Sequence, residues 1–201
     1  MSTSTPASRS HRRRISSASR EPTEAGWAHN PPFWHDGTER PIHRPTDPED
    51  QQECYRGKPT CHTVKNLLVI DETCYLCFVS AASAEKAPDK SLADLTGYPL
   101  PPGSCLYQDR GFQGFVLAGV TMVQPKKKPP GGELTPLEKA INRRISSIRM
   151  RIEHAMGGVK RDRMVKDKIR LLKDGSRDTI METCCGLHNF RIQYRPWHYA
   201  S

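Results

Sequence analysis

Three acidic residues stand at places in the sequence where their carboxylates could act together on a phosphate ester. Asp36 follows a short aromatic segment, Asp109 ends a β-type segment, and Glu153 lies in a long helical pattern. Hard divalent cations prefer carboxylate oxygens, and two ions about 4 Å apart can activate water and stabilise the leaving oxygen of a phosphodiester. Taken singly, each aspartate also lies close to glycine in an ordinary turn sequence, which favours the structural interpretation for either one alone.

The helical pattern that carries Glu153 runs from Leu134 to Arg163 and is predicted to be one long helix. Thr135 with Glu138 forms a capping-box sequence, and Pro136 suits the first helical position. Apolar residues recur every three or four positions, which predicts a buried face. They are Leu137, Ile141, Ile145, Ile148, Ile152 and Ala155 or Met156.

Charged residues gather at one edge of this apolar face. At about 100° per residue, Arg149, Glu153 and Lys160 fall close together. A carboxylate so placed can face a cleft. The alternative is a solvated helix on which Glu153 forms only local pairs with neighbouring arginines.

The basic charge of the chain is concentrated around the same helix. The formal net charge is +9, and residues 126–170 alone contain 14 basic and 5 acidic residues. Such a distribution favours a polyanionic partner, and nucleic acid is the interpretation we adopt over a basic surface without such a partner. The residues predicted to contact DNA are Lys126, Lys127, Lys128, Arg149, Lys160, Arg161 and Arg163.

The rest of the chain predicts strands followed by helices. Residues 1–30 form a basic, Ser/Thr-rich segment without periodicity, predicted to be a disordered tail. At best a short strand leads up to Asp36, HTVKNLLVID and TCYLCFVS form a hairpin, and SLADL is a short helix. SCLYQD and VLAGVTMVQ are further strands. The expected fold class is α/β or α+β.

A second long helix is predicted near the C-terminus. Ser176 is a candidate cap, and one apolar face is expected to pack on the side of the sheet opposite the first helix. That face consists of Ile180, Cys184, Leu187 and Tyr194.

The seven cysteines and the hydropathy exclude some classes of protein. Without an export signal an odd number of cysteines indicates reduced thiols, and we interpret them as small apolar residues. Cys74 and Cys77 form a C-x-x-C, but residues three apart on a strand point to opposite faces, so a zinc-binding module is the weakest hypothesis. No run of 18 apolar residues is present, which predicts no membrane span.

Five blocks of the sequence, in this order, resemble the DDE transposases of bacterial insertion sequences. The blocks are DGTERPIHRP, YRGKPTCHTVKN, LPPGSCLYQDRGFQG, QPKKKPPGGELTPLEKAINRRISSIRMRIEHAMGGVKR and METCCGLHNFR. The resemblance covers about residues 36–192. Arg149, Glu153 and Lys160 match the family's Arg-x3-Glu-x6-Lys signature, and Asp36 and Asp109 match its two aspartate motifs.

The resemblance implies an RNase H-like mixed sheet flanked by helices, forming a catalytic domain over residues 31–195. It implies that Asp36, Asp109 and Glu153 are the catalytic residues and hold two Mg²⁺ or Mn²⁺ ions. The implied reaction is hydrolysis of a DNA strand at the transposon end, followed by attack of the freed 3′-hydroxyl on target DNA. A homodimer on DNA and a place in the bacterial cytoplasm, at the nucleoid, are further expectations.

The sequence departs from this family pattern at several places. Ser146 stands where a tyrosine is expected three residues before Arg149, and Pro88 replaces a histidine before Asp89. PPFWH precedes Asp36 in place of an apolar strand, and the basic tail replaces a helix-turn-helix region. We therefore expect a copy truncated at its N-terminus. The alternative function is a catalytically inactive remnant that binds DNA nonspecifically.

Overall fold

The computed structural model describes residues 30–56, 61–84, 86–98, 100–169 and 175–197. The predicted tail lies outside these ranges, apart from Asn30. In the described part, a seven-stranded mixed sheet is flanked by helices, which confirms the predicted fold class. None of the helices in these ranges is both long and apolar enough to cross a membrane.

The sheet has the strand order β2-β3-β1-β6-β7, and β4 and β5 also pair with β3. The strands are β1 (Pro32–Ile42), β2 (Tyr55–Arg56), β3 (Cys61–Ile70), β4 (Leu76–Val79), β5 (Ser83–Ala84), β6 (Cys105–Tyr107) and β7 (Thr121–Val123). The α-helices are α1 (Pro48–Glu53), α2 (Asp89–Thr96), α3 (Pro136–Val159), α4 (Arg163–Lys166) and α5 (Ser176–Tyr194).

The central strand β1 is longer than predicted. It continues through Asp36 to Ile42, because it pairs antiparallel with β3 along nearly its whole length. Its polar second half is stabilised by long-range contacts: the buried guanidinium of Arg40 donates to Asn66 Oδ1 at 2.9 Å and to the carbonyl of Arg177 at 2.8 Å. Asp36 therefore lies within a strand, whereas the sequence indicated a turn.

The two faces of the sheet bury separate cores. Alternation along β3 sends Leu68 to one face and Leu67 to the other, and Trp34 and Phe33 divide in the same way on β1. The Trp34 face is covered by α3 and α5, and the Phe33 face by α2 and the loops that follow β6. The predicted hairpin of β3 and β4 is confirmed as an antiparallel pair.

The long helix α3 begins as predicted and ends earlier than predicted. The capping box of Thr135 and Glu138 is present, with Pro136 as the first helical residue. The helix ends at Val159, and the short helix α4 follows. The predicted apolar face is exposed in its first two turns and is buried from Ile145 onward: Ile152 is fully buried, whereas Leu137 is 70% exposed.

The C-terminal helix α5 presents a different face from the predicted one. It packs on the same side of the sheet as α3, in a shared core, so its predicted position on the opposite side was wrong. Leu187 and Tyr194 are exposed, because buried polar residues fix its orientation. Asn189 binds both the N–H and the carbonyl of Leu76, at 2.8 and 2.9 Å, and His188 donates to the carbonyl of Cys74 at 3.1 Å.

Candidate functional site

The pairing of β1 with β6 brings Asp36 and Asp109 side by side. These strands run parallel, and Trp34 is the register partner of Tyr107 at the last paired position. Asp36 and Asp109 each follow two residues later, at the point where the two chains separate. The carboxyl ends of parallel strands meet at one edge of a sheet, so both side chains lie at the same edge, within reach of Arg149 on α3.

One guanidinium joins the two carboxylates. Arg149 on α3 places Nη2 at 3.6 Å from Asp36 Oδ2 and Nη1 at 3.2 Å from Asp109 Oδ1. Its side chain is only 15% exposed. Arg149 was expected to contact DNA phosphate, but in this structure its two terminal nitrogens face the aspartates.

The Asp36 carboxyl is largely withdrawn from solvent. Burial is the main reason that its pKa is raised to about 6, and the nearby carboxylates of Asp109 and Asp89 act in the same direction. The Gly37 N–H, 2.8 Å from Oδ1, and the Arg149 guanidinium oppose this shift without cancelling it. A further cation at this position would favour the charged carboxylate.

A third aspartate packs against the backbone next to both strand aspartates. Asp89, the first residue of α2, fills the space left by two glycines: a Cβ on Gly37 would lie 3.0 Å from its Oδ1, and one on Gly111 would lie 2.9 Å from its Oδ2. Gly37 follows Asp36 directly, and Gly111 is two residues after Asp109. The Asp89 carboxylate thus packs against the backbone of both aspartate segments.

A lysine buried in the sheet holds Asp89 in place. Lys65 on β3 is 8% exposed, and its Nζ lies 2.9 Å from Asp89 Oδ1 and 3.3 Å from the carbonyl of Ala87. Sequence reasoning did not identify this pair. The available signal was a lysine within the otherwise apolar strand β3, because a buried cation of this kind requires a partner.

Glu153 lines a cavity whose wall contains neither of the two aspartates. It is exposed, one helical turn after Arg149, and it lines this open cavity of about 700 Å³ with His154, Arg161 and Trp197. No group of three Asp, Glu, His or Cys residues within the described ranges has the spacing to hold a metal ion.

Lys160 lies close enough to Asp36 to interact with its charge. It is the C-terminal cap of α3, with its N–H bonded to the carbonyl of Met156 at 2.9 Å. Burial lowers the pKa of its ammonium group, and the Asp36 carboxylate opposes this shift. Its charge and that of Arg149 therefore both act on Asp36, as the shared helix face suggested.

The other cations expected to bind DNA lie near the two ends of α3. The lysines at 126–128 are exposed, and the first of them pairs with Glu138 in the first turn of the helix. Arg161 and Arg163 are exposed beyond the other end, and Arg163 also pairs with Asp167 at 2.8 Å. The helix separates the two groups by roughly 30 Å, about nine base pairs of duplex.

Comparison with known proteins places the site residues within one matched region. The profile of a family described as DDE superfamily endonuclease matches residues 35–189. A probable transposase for insertion sequence element IS702 from Microchaete diplosiphon is 27% identical over 159 residues. That alignment covers 78% of this chain and 56% of the relative, so the chain spans about half the length of this curated relative. No solved structure matches the chain significantly.

Proposed function

Because the chain belongs to the DDE superfamily endonucleases, we propose that it binds double-stranded DNA and hydrolyses a phosphodiester bond at a transposon end. Asp36, Asp109 and Glu153 are the proposed catalytic acids, and transfer of the freed 3′-hydroxyl to target DNA is the proposed second step. The observation that carries this proposal is that the guanidinium of Arg149 contacts both Asp36 and Asp109. In a bacterial cell the substrate would be the DNA of the nucleoid.

The two strand aspartates fit a divalent cation by the chemistry of their donors. Asp36 and Asp109 direct hard carboxylate oxygens toward one positive group, and the pKa of Asp36 stays raised despite that group. Both residues would hold Mg²⁺ or Mn²⁺. When bound, a pair of such ions would supply an activated water and stabilise the leaving oxygen.

Glu153 is assigned as the third acid by its position in α3. It lies one turn after Arg149, on the part of the helix that passes over the aspartates, and its side chain is exposed. The supporting argument is the motif spacing of Arg149, Glu153 and Lys160 together with the family match over residues 35–189. Binding of two metal ions would require Glu153 as a third carboxylate ligand.

Arg149 has a positioning role in this proposal. Its guanidinium balances the charge of Asp36 and Asp109 before a metal ion binds, because two half-buried carboxylates at one sheet edge would otherwise repel each other. The basic groups at the two ends of α3 would contact DNA phosphates on either side of this point, and a homodimer would bring two DNA ends together.

The second candidate function is a DNA-binding remnant without catalytic turnover. It is favoured by one observation: Arg149 already contacts both aspartates, while Glu153 lines another cavity. In that case the chain would retain the basic ends of α3 and bind duplex DNA through phosphates alone, with affinity that falls steeply as salt concentration rises.

Nicking of supercoiled plasmid in Mg²⁺ or Mn²⁺ separates the two functions. We expect the chain to nick plasmid with either metal, and Asp109→Asn to lower the rate by about 100-fold or more, because a neutral amide is a poor ligand for a hard cation. Asp94→Asn is the matched control, since Asp94 is an exposed residue of α2 that pairs with Lys90. Equal nicking by Asp109→Asn and the unaltered chain would exclude the proposed site.

A further inference from the structure

A second cavity adjoins the one that contains Glu153, at the junction of α3, α5 and the C-terminal segment. It has a volume of about 640 Å³, within the range of small-molecule binding sites. The two cavities share Gly158, Arg161 and Trp197 as lining residues. A molecule bound in the second cavity would therefore lie directly beside the proposed third catalytic acid.

Aromatic rings form a large part of the wall. Phe190 and Tyr194 are 58% and 73% exposed, and their ring centroids are 4.7 Å apart. Trp197 lies edge-on to the buried ring of His188 at 5.5 Å. The rings of Phe190 and Tyr194 are tilted at 53° to each other. An exposed pair of aromatic side chains leaves apolar area in water, and each ring offers a face that a flat ligand can cover.

Arginines at the rim give this cavity a preference for anions. Arg161, Arg191 and Arg195 all line it. Arg191 is engaged by Asp162 at 2.8 Å and by the carbonyl of Gly158 at 3.2 Å. For Arg161 and Arg195, both exposed, the structure gives no acidic partner within the described ranges.

We propose that this cavity binds an unpaired nucleotide of the DNA strand, with its base against Phe190, Tyr194 and Trp197 and its phosphates beside Arg161 and Arg195. The inference rests on the proposed function, since Glu153 in the adjoining cavity would mark the cleaved position. Flat apolar walls can hold the face of a base only after the base has left the stack of the duplex. Aromatic side chains with a positive rim are the usual means of binding unpaired strands.

Three DNA probes test this inference with the full chain. The first is a short blunt duplex, the second is the same duplex with a short unpaired 3′ extension, and the third carries that extension with abasic sites in place of its bases. We expect the extension to tighten binding roughly tenfold, because stacking of a base on an aromatic side chain contributes about that factor. The probe with the abasic extension should exceed the blunt duplex in affinity only by the contribution of its added phosphates, because it has no bases to stack.

The double variant Phe190→Ala/Tyr194→Ala should remove the advantage of the extension and leave the affinity for blunt duplex unchanged. Both side chains are mainly exposed, so the fold should be retained, and the single change Tyr194→Ser provides a second variant. Leu95→Ala/Val116→Ala is the matched control, because these residues are 72% and 74% exposed elsewhere.

The outcomes distinguish this inference from the proposed function. An advantage of the extension that survives in the double variant, or that the abasic probe reproduces, would overturn the nucleotide site while duplex binding stands. A change in the oligomeric state of the double variant, measured by sedimentation, would instead identify this surface as a contact between copies. Failure of all three probes to bind would contradict the proposed function itself.

Discussion

The strand aspartates and the helix glutamate are held in different ways. Asp36 and Asp109 occupy corresponding positions beyond a parallel strand pair, and the same arginine contacts both. Glu153 is exposed on α3 and faces a cavity lined by the C-terminal segment. Backbone pairing determines the first two positions to within a residue, whereas the third depends on the packing of one helix and on a side chain in solvent.

Because of this difference, the strand aspartates should affect the stability of the fold, whereas Glu153 should affect catalysis alone. The strand aspartates share one arginine, so the folded protein has to offset their mutual repulsion with Arg149 and, at Asp36, also with Lys160. The carboxylate of Glu153 is exposed to solvent and needs no such compensation by nearby cations. Substitutions around the aspartates should therefore change the free energy of unfolding, whereas matched substitutions around Glu153 should change it little.

The largest change is expected for Arg149→Met. Without the guanidinium, two neighbouring carboxylates lose their common partner, and the free energy of unfolding should fall by about 2 to 3 kcal/mol near pH 8. The loss should be smaller near pH 5, because Asp36 then takes up a proton and the repulsion decreases. Urea unfolding at both pH values measures this change.

Arg161→Met is the control for that experiment, because Arg161 lies beside Glu153 and is exposed. Its effect on the free energy of unfolding should stay within about 0.5 kcal/mol. If both arginine variants lost the same free energy of unfolding, the strand aspartates would need their arginine no more than the surface around Glu153 does.

Asp36→Asn should stabilise the protein. The pKa of Asp36 is about 6 in the folded chain and 3.8 as the ordinary value, so the folded protein binds this proton more tightly than the unfolded chain does. The free energy of unfolding therefore falls as pH rises from about 4 to about 6 and remains low above that range. The asparagine variant avoids this loss.

At pH 7 the gain from Asp36→Asn should be about 2 kcal/mol, and it should vanish below about pH 4. Thermal unfolding over this pH range measures it. Glu153→Gln, the equivalent change at an exposed side chain, should alter the free energy of unfolding at pH 7 by less than about 0.5 kcal/mol. A destabilised Asp36→Asn protein at pH 7 would contradict the raised pKa of Asp36 and its origin in burial.

Replacing glycine by alanine should have smaller effects on the free energy of unfolding, and these should be opposite in sign at two positions. Gly111→Ala should lower the free energy of unfolding by about 1 kcal/mol, because the new Cβ would meet the Asp89 carboxylate at 2.9 Å. Gly157→Ala, one turn after Glu153 in α3, should raise it by up to about 1 kcal/mol, because the space there is open and alanine favours helix.

Contact with Asp89 can be verified by combining two changes. In an Asp89→Ala background the added methyl at position 111 has room, so Gly111→Ala should be nearly neutral there. If Gly111→Ala is as harmful in that background as in the unaltered chain, its effect does not come from the Asp89 carboxylate.

Local patterns predicted the elements whose contacts are close in sequence. The capping box of α3, the hairpin of β3 and β4, and the strand before Asp109 were all recognisable from spacing and turn residues. The length of β1 was not, because its polar second half is stabilised by Asn66 and by a carbonyl at the start of α5. Such contacts join residues more than twenty positions apart and leave no periodic signal.

The same limit applied to the helix faces and the site. Apolar periodicity assigned Leu187 and Tyr194 to the buried face of α5, but the hydrogen bonds of His188 and Asn189 orient the helix otherwise. At the site, residue types and the family resemblance identified the acids and Arg149. The sequence held no local sign that Lys65 and Asp89 would meet behind them.

The most direct test of the account is cleavage and binding by Glu153→Gln, compared with Glu72→Gln as an exposed control in a turn. We propose that Asp36, Asp109 and Glu153 act as one site although Glu153 lines another cavity in this structure. We therefore expect Glu153→Gln to bind duplex DNA with unchanged or slightly higher affinity, and plasmid nicking in Mn²⁺ to fall by about 100-fold or more. Nicking at the unaltered rate by Glu153→Gln would contradict it.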